Sequence, residues 1–138
     1  MSNSVYPHDQ TLQWLLPDEQ ATATVAAVLG AALQPGCVVH LSGPLGAGKT
    51  AFSRALIRSL GYNGRDFYRF SSEEELRDAG FEELLDSDAV ALVEWPEMAA
   101  TQLPAPHVLL RLELTESELA RCLHVTVHGE RGHACLSA

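Results

Sequence analysis

The octapeptide Gly43-Pro-Leu-Gly-Ala-Gly48-Lys49-Thr50 constrains this chain more than any other feature of it. It matches G-x-x-x-x-G-K-[ST], a pattern whose glycines let the backbone curl around phosphate oxygens. Consecutive amides and a helix N-terminus then face those oxygens with positive partial charge. Such a loop needs a buried strand before it and a helix after it, and the flanking residues offer both. Cys37-Val-Val-His-Leu41 is a nearly continuous apolar run of the kind a covered parallel strand requires. Phe52, Ala55, Leu56 and Leu60 follow at helical spacing, and Gly61 suits the left-handed position after a helix end. Within this frame Lys49 brings a full charge to the outer phosphates and the Thr50 hydroxyl reaches a magnesium ion.

A nucleotide is the expected ligand, and no guanine-reading N/T-K-x-D follows, so adenine is favoured over guanine. An NTPase of this kind also needs an acidic group at the end of a neighbouring strand. Asp88-Ala-Val-Ala-Leu-Val-Glu94 provides one: the five residues before Glu94 are apolar and bury the strand. Trp95-Pro96 closes it, because proline cannot continue a central ladder.

The remaining elements complete an α/β pattern. Pro17-Asp18-Glu19 opens a helix in which Val25, Val28, Leu29, Ala32 and Leu33 recur on one face, and Pro35-Gly36 ends it. Ser72-Glu-Glu-Glu75 fits a capping box at the head of an acidic helical stretch running to about Leu85. Leu110, Leu112 and Leu114 alternate with polar residues, as do Leu123, Val125 and Val127, so both segments are expected as half-buried strands. Gly129-Glu-Arg-Gly132 resembles the connection of a hairpin returning through His133–Ser137. The expected fold is an α/β P-loop NTPase three-layer sandwich, with a mostly parallel central sheet and a C-terminal antiparallel hairpin, as one nucleotide-binding domain over residues 1–138.

Charge limits the partners. Acidic residues outnumber basic ones 18 to 9, giving a net charge of -9, the wrong sign for a surface that grips a phosphate backbone. Cys37, Cys122 and Cys135 contain no C-x-x-C pair and are expected as buried reduced thiols. Six histidines show no metal-ligand spacing. Neither a basic leader followed by an apolar run nor a membrane-length apolar stretch occurs, so a cytoplasmic location without membrane attachment is expected.

Leu-Pro-Asp-Glu-Gln-Ala-Thr at 16–22, the Gly43–Thr50 loop, Asp-Phe-Tyr-Arg at 66–69 and Leu-Val-Glu-Trp-Pro at 92–96 stand in the order found in the TsaE family, formerly YjeE, which the chain resembles over most of its length. The resemblance implies an ATPase subunit of bacterial threonylcarbamoyladenosine synthesis, working with TsaB and TsaD while those partners handle the tRNA. It implies that Gly43, Gly46, Ala47, Gly48, Lys49, Thr50 and Ala51 hold the phosphates of ATP or ADP. Thr50 and Glu94 would hold magnesium, and Glu19 and Arg121 would approach the nucleotide from outside the loop. Lys49, Glu94 and Asp66 form the implied catalytic set, Asp66 lying near the metal or water, while Trp95 is linked to partner or nucleotide coupling.

One departure stands out. The family carries a switch-like stretch containing Ser-Pro-Thr before its D-L-Y-R motif, whereas here Gly64-Arg65 runs directly into Asp66. About twenty residues are absent, a length at which loops are typically functional. Two other readings of the chain are a small P-loop phosphotransferase, for which no arginine-rich lid is visible, and a nucleotide-dependent scaffold that does not hydrolyse.

Overall fold

A computed structural model describes residues 10–136 apart from 45, 72, 81, 84, 85, 87 and 95–105. Six strands, β1 (Gln10–Leu16), β2 (Val38–Ser42), β3 (Asp66–Phe70), β4 (Ala89–Glu94), β5 (Val108–Leu114) and β6 (Arg121–Val127), form one sheet in the order β1-β6-β5-β2-β4-β3. Strand β2 pairs in parallel with β4 and β5, and β3 in parallel with β4, while β6 pairs antiparallel with β5 and β1. Among the described residues four helices have defined bounds, α1 (Glu19–Ala32), α2 (Lys49–Tyr62), α3 (Glu73–Ala79) and α4 (Gly129–Cys135), and Glu82 and Glu83 are also helical.

The apolar runs become the centre of this mixed α/β sheet as expected: all five residues of β2 and the first five of β4 are buried. Leu110, Leu112, Leu123, Val125 and Val127 turn into the core, whereas Leu114 at the end of β5 is exposed. Strand β1 carried no clear signal. It is an edge strand whose first six residues are exposed, so burial never imposed a strict alternation on it.

Helix α1 begins where Asp18 Oδ1 accepts the Ala21 N–H at 2.8 Å, an N-cap. Of its expected buried face, Leu33 lies in the core and Val25 and Leu29 pack against it, but the most buried line runs through smaller residues. Thr22, Ala26 and Gly30 are buried, and Val28 is 64% exposed. The reason is the close approach of α2: a Cβ on Gly30 would sit 2.8 Å from both the Leu56 carbonyl oxygen and Ser59 Cβ. Small residues at i, i+4 and i+8 permit that approach, and the Ser59 hydroxyl closes it by donating to the Ala27 carbonyl at 2.6 Å.

Helix ends differ in detail from the sequence reading. Gly64, not Gly61, takes the positive φ after α2, at +72°. Helix α3 stops at Ala79, before Gly80 at φ +84°, and Glu82 and Glu83 are helical again within the stretch expected to run to about Leu85, while Ser72, Leu85, Trp95 and Pro96 lie outside the described residues.

The C-terminal segment corrects two expectations. Instead of a hairpin strand, residues 129–135 form α4, and Leu136 makes an antiparallel bridge to Leu33. Gly129 adopts φ +66° and Gly132 packs against the His107 carbonyl, which turns the chain into a helix. That helix carries Cys135 to Cys37, and the two form a disulfide across a sequence separation of 98, so they are not reduced thiols. Only Cys122 is a free thiol. His107 lies within 4.8 Å of both bonded sulfurs, and its Nδ1 accepts the Val38 N–H at 2.9 Å. No described helix is long and apolar enough to cross a membrane.

Gly30→Ala should lower stability by about 1 to 3 kcal/mol despite alanine's better helix propensity, because the new methyl meets backbone. Denaturant unfolding measures it; an unchanged midpoint would refute the close-packing account. His40, buried in β2, has its pKa pushed down from 6.5 to about 4, chiefly by burial and then by His128. The fold therefore holds the neutral ring. The associated stability, on the order of 3 kcal/mol, is complete above pH 6.5 and falls away as pH drops towards 4. Unfolding free energies between pH 7 and 5 should show this slope, and His40→Leu should flatten it.

Candidate functional site

Strand β2 ends at Ser42, and the chain turns at once through the glycine loop into α2. Gly46 and Gly48 adopt φ +85° and +86°, conformations that L side chains rarely tolerate. Gly43 is required for another reason: a Cβ there would lie 2.9 Å from the Leu112 carbonyl oxygen on β5. A bond from Ala47 N–H to the Pro44 carbonyl at 3.1 Å tightens the curl. Leu45 lies outside the described residues.

Lys49 is the first residue of α2, and its Nζ donates to the Gly43 carbonyl at 3.1 Å, across the mouth of the loop. Burial lowers its pKa, and the nearby charge of Glu94 opposes that shift. Thr50 is exposed one residue further on. Glu94 stands at the C-terminal end of β4, in register with Leu41 of β2, and so reaches the same end of the sheet as the loop. Its Oε2 is held by Arg69 on β3, through Nη2 at 2.8 Å and Nε at 2.9 Å.

Cavities flank the loop on two sides. One, of about 410 Å³, is lined by Pro44, Gly46, Gly48, Lys49, Thr50, Ala51 and Arg54. The other, of about 220 Å³, lies between Ala47, Gly48 and Ala51 of the loop and Glu19, Thr22, Glu118, Leu119 and Arg121. Arg121 also donates from Nη2 to the Gly46 carbonyl at 3.1 Å, while its Nη1 binds the Glu118 and Ala120 carbonyls at 2.8 Å. Thus Glu19, Ala47, Gly48, Ala51 and Arg121, far apart in the chain, share one cavity wall.

Asp66 is not brought to this place. It begins β3 opposite Ala89, the first residue of β4, whereas Glu94 is the last. At about 3.3 Å per residue, five strand positions separate their levels by roughly 16 Å. The fold also assembles what the sequence did not suggest: Arg54 and Arg58 from α2 meet Arg69 from β3 beside Thr50. The spacing of Arg54 and Arg58 was the only local hint, since Arg69 arrives through sheet pairing.

Together these features define a mixed α/β protein whose glycine loop sits between a buried parallel strand and a helix, with an acidic strand end beside it. The family described as "Threonylcarbamoyl adenosine biosynthesis protein TsaE" matches residues 16–65 and 64–123, and the chain belongs to that family. A Rickettsia conorii protein named tRNA threonylcarbamoyladenosine biosynthesis protein TsaE is 32% identical, with 83% of this chain and 78% of the relative covered. The Treponema pallidum protein of the same name is 34% identical, with 69% and 86% covered. The crystal structure of Bacillus subtilis YdiB superposes with a TM-score of 0.75 at 27% identity, covering 91% of this chain and 90% of that one.

The alignments give the size of the missing stretch, and the family match gives its place. That with the Rickettsia protein spans 138 positions but takes in 83% of 138 residues here, about 115, leaving about 23 positions without a counterpart. That with the Treponema protein spans 116 positions and takes in 69%, about 95, leaving about 21. The family match breaks at residues 64–65, the turn between α2 and β3.

Gly48→Ala should cost about 1 to 2 kcal/mol through its left-handed backbone alone, since nothing lies within 4 Å of the added Cβ. Thermal unfolding would register this as a loss of several degrees, and an unchanged midpoint would show that the loop relaxes to another conformation.

Proposed function

We propose that this chain is a magnesium-dependent ATPase subunit acting with TsaB and TsaD in threonylcarbamoyladenosine modification of tRNA. The observation that supports it most is the convergence of Lys49, Thr50 and Glu94 at one end of two adjacent parallel strands, around a loop with two positive-φ glycines. The loop amides and Lys49 would bind the triphosphate of ATP. The cavity between Glu19 and Arg121 would take the nucleoside. The hydroxyl of Thr50 and the carboxylate of Glu94 are hard oxygen donors of the kind magnesium prefers, and they would hold the ion once Glu94 leaves Arg69. Bound there, magnesium would offset charge on the phosphates.

Hydrolysis joins a water oxygen to the γ-phosphorus and breaks its bond to the β–γ bridging oxygen, releasing ADP and phosphate. Lys49, partly desolvated, is matched to the negative charge of that transfer. Asp66, on its far strand end, takes no part. With a charge of -9 the chain meets tRNA only through its partners, and a cytoplasmic setting accords with that pathway.

A second reading has a specific observation in its favour. About 20 aligned positions of the relatives have no counterpart here, and the family match breaks at residues 64–65, between α2 and the strand bearing Arg69. A chain without them could bind ATP as a scaffold and leave it intact.

Phosphate release should be slow for the chain alone and rise when TsaB and TsaD are added, and Lys49→Ala should weaken ATP binding by about tenfold or more. ATP affinity without phosphate release, even with both partners, would select the scaffold. Undiminished binding by Lys49→Ala would remove both readings.

A further inference from the structure

Beside the phosphate loop lies a groove of about 470 Å³ lined by Thr50, Arg54, Ile57, Arg58 and Arg69. It shares the wall residues Thr50 and Arg54 with the cavity at the loop, so the two adjoin. The chain has 9 basic residues, and three of them line this groove on a protein whose net charge is -9. Arg54 and Arg58 are four residues apart on α2, an arrangement of like charges that costs an isolated helix about 0.2 to 0.5 kcal/mol. Both are exposed, and neither has an ion-pair or hydrogen-bond partner among the described residues. Arg69 has one, the single oxygen Glu94 Oε2. Of the three arginines that line the groove, only Arg69 is paired with a carboxylate.

We propose that this groove is a docking site for a short acidic segment of a protein partner, and that filling it draws Arg69 away from Glu94. The proposal rests on the nucleotide-binding reading above and adds its regulation. Guanidinium forks pair with carboxylates two bonds at a time, and three of them suit two or three carboxylates held close together. A nucleic-acid strand is a poorer occupant. Its affinity comes from many successive phosphates, and beyond three arginines it would run onto a surface where acidic residues prevail. Arg69 links the groove to the site because its guanidinium cannot serve both Glu94 and an incoming carboxylate at full strength. A docked acidic segment frees the Glu94 carboxylate to face the loop, which makes docking and nucleotide loading mutually supportive.

The test uses fluorescein-labelled hexaglutamate, with an oligouridylate of equal charge and inorganic phosphate as competitors, on the full chain at low ionic strength. Hexaglutamate should bind, release on adding salt, and bind about tenfold more weakly to Arg58→Ala and weaker still to Arg58→Glu. Affinity for a fluorescent ATP analogue should be unchanged in Arg58→Ala, whose side chain lies outside the loop cavity. Saturating hexaglutamate should raise the magnesium sensitivity of analogue binding in the wild-type chain and not in Arg58→Glu. No hexaglutamate binding, binding indifferent to position 58, or displacement by oligouridylate or phosphate at lower concentration than by unlabelled hexaglutamate would overturn the proposal. Failure of the wild-type chain to bind the ATP analogue would instead strike the nucleotide reading, so the two failures are distinguishable.

Discussion

Strand β2 is hydrogen-bonded on both sides, to β4 and β5, and all five of its residues are buried. Everything at the candidate site is placed by that clamp. Because both neighbours run parallel to β2, the chain leaves it at the end of the sheet where β4 delivers Glu94. The glycine loop must turn within a few residues to start α2, and Leu112 of β5 bounds it so closely that position 43 has no room for a side chain. Packing of α2 on α1 through Thr22, Ala26 and Gly30 then fixes the direction in which the helix N-terminus points. The geometry around Lys49 follows from the burial of five residues and from one narrow helix contact.

How much of this could be read from the residues depended on the range of the interaction. Buried central strands leave apolar runs, and Val38–Leu41 and Ala89–Val93 were legible for that reason, as was the loop between strand and helix. Membership of the TsaE family was visible in four short motifs, and the matching family covers the same stretches. Two kinds of feature were hidden. Edge strand β1 buries too little for alternation to mark it, and α1 turns Thr22, Ala26 and Gly30 to its most buried line, with Val25 and Leu29 beside them and Val28 outside, because a second helix presses there. The pairing of Cys37 with Cys135 and the meeting of Arg54, Arg58 and Arg69 arise only once distant segments are folded together. Motif likeness alone put Asp66 with Glu94, but parallel register sets the two carboxylates at opposite ends of their strands.

Electrostatically the site is a short relay. Burial disfavours the charge on Lys49, Glu94 partly restores it, and Arg69 draws on the same carboxylate from the other side. Each group is satisfied in competition with its neighbour, so a new anion on either flank redistributes the others. A loop surrounded by such shared contacts responds to its surroundings more readily than one whose charges are paired off exclusively.

The bond between Cys37 and Cys135 has a mechanical meaning as well. It turns the segment between them, which holds the glycine loop, α2, β3, β4, Arg69 and Glu94, into a closed covalent ring. Tension applied to the two ends of the chain runs through α1 and the bond itself and bypasses the ring. A pull that strips away β1 and α1 would therefore leave the glycine loop and Glu94 outside the covalent path of the load, and would remove Glu19 and Thr22 of α1, which lie outside the ring, from the cavity wall they share with the loop.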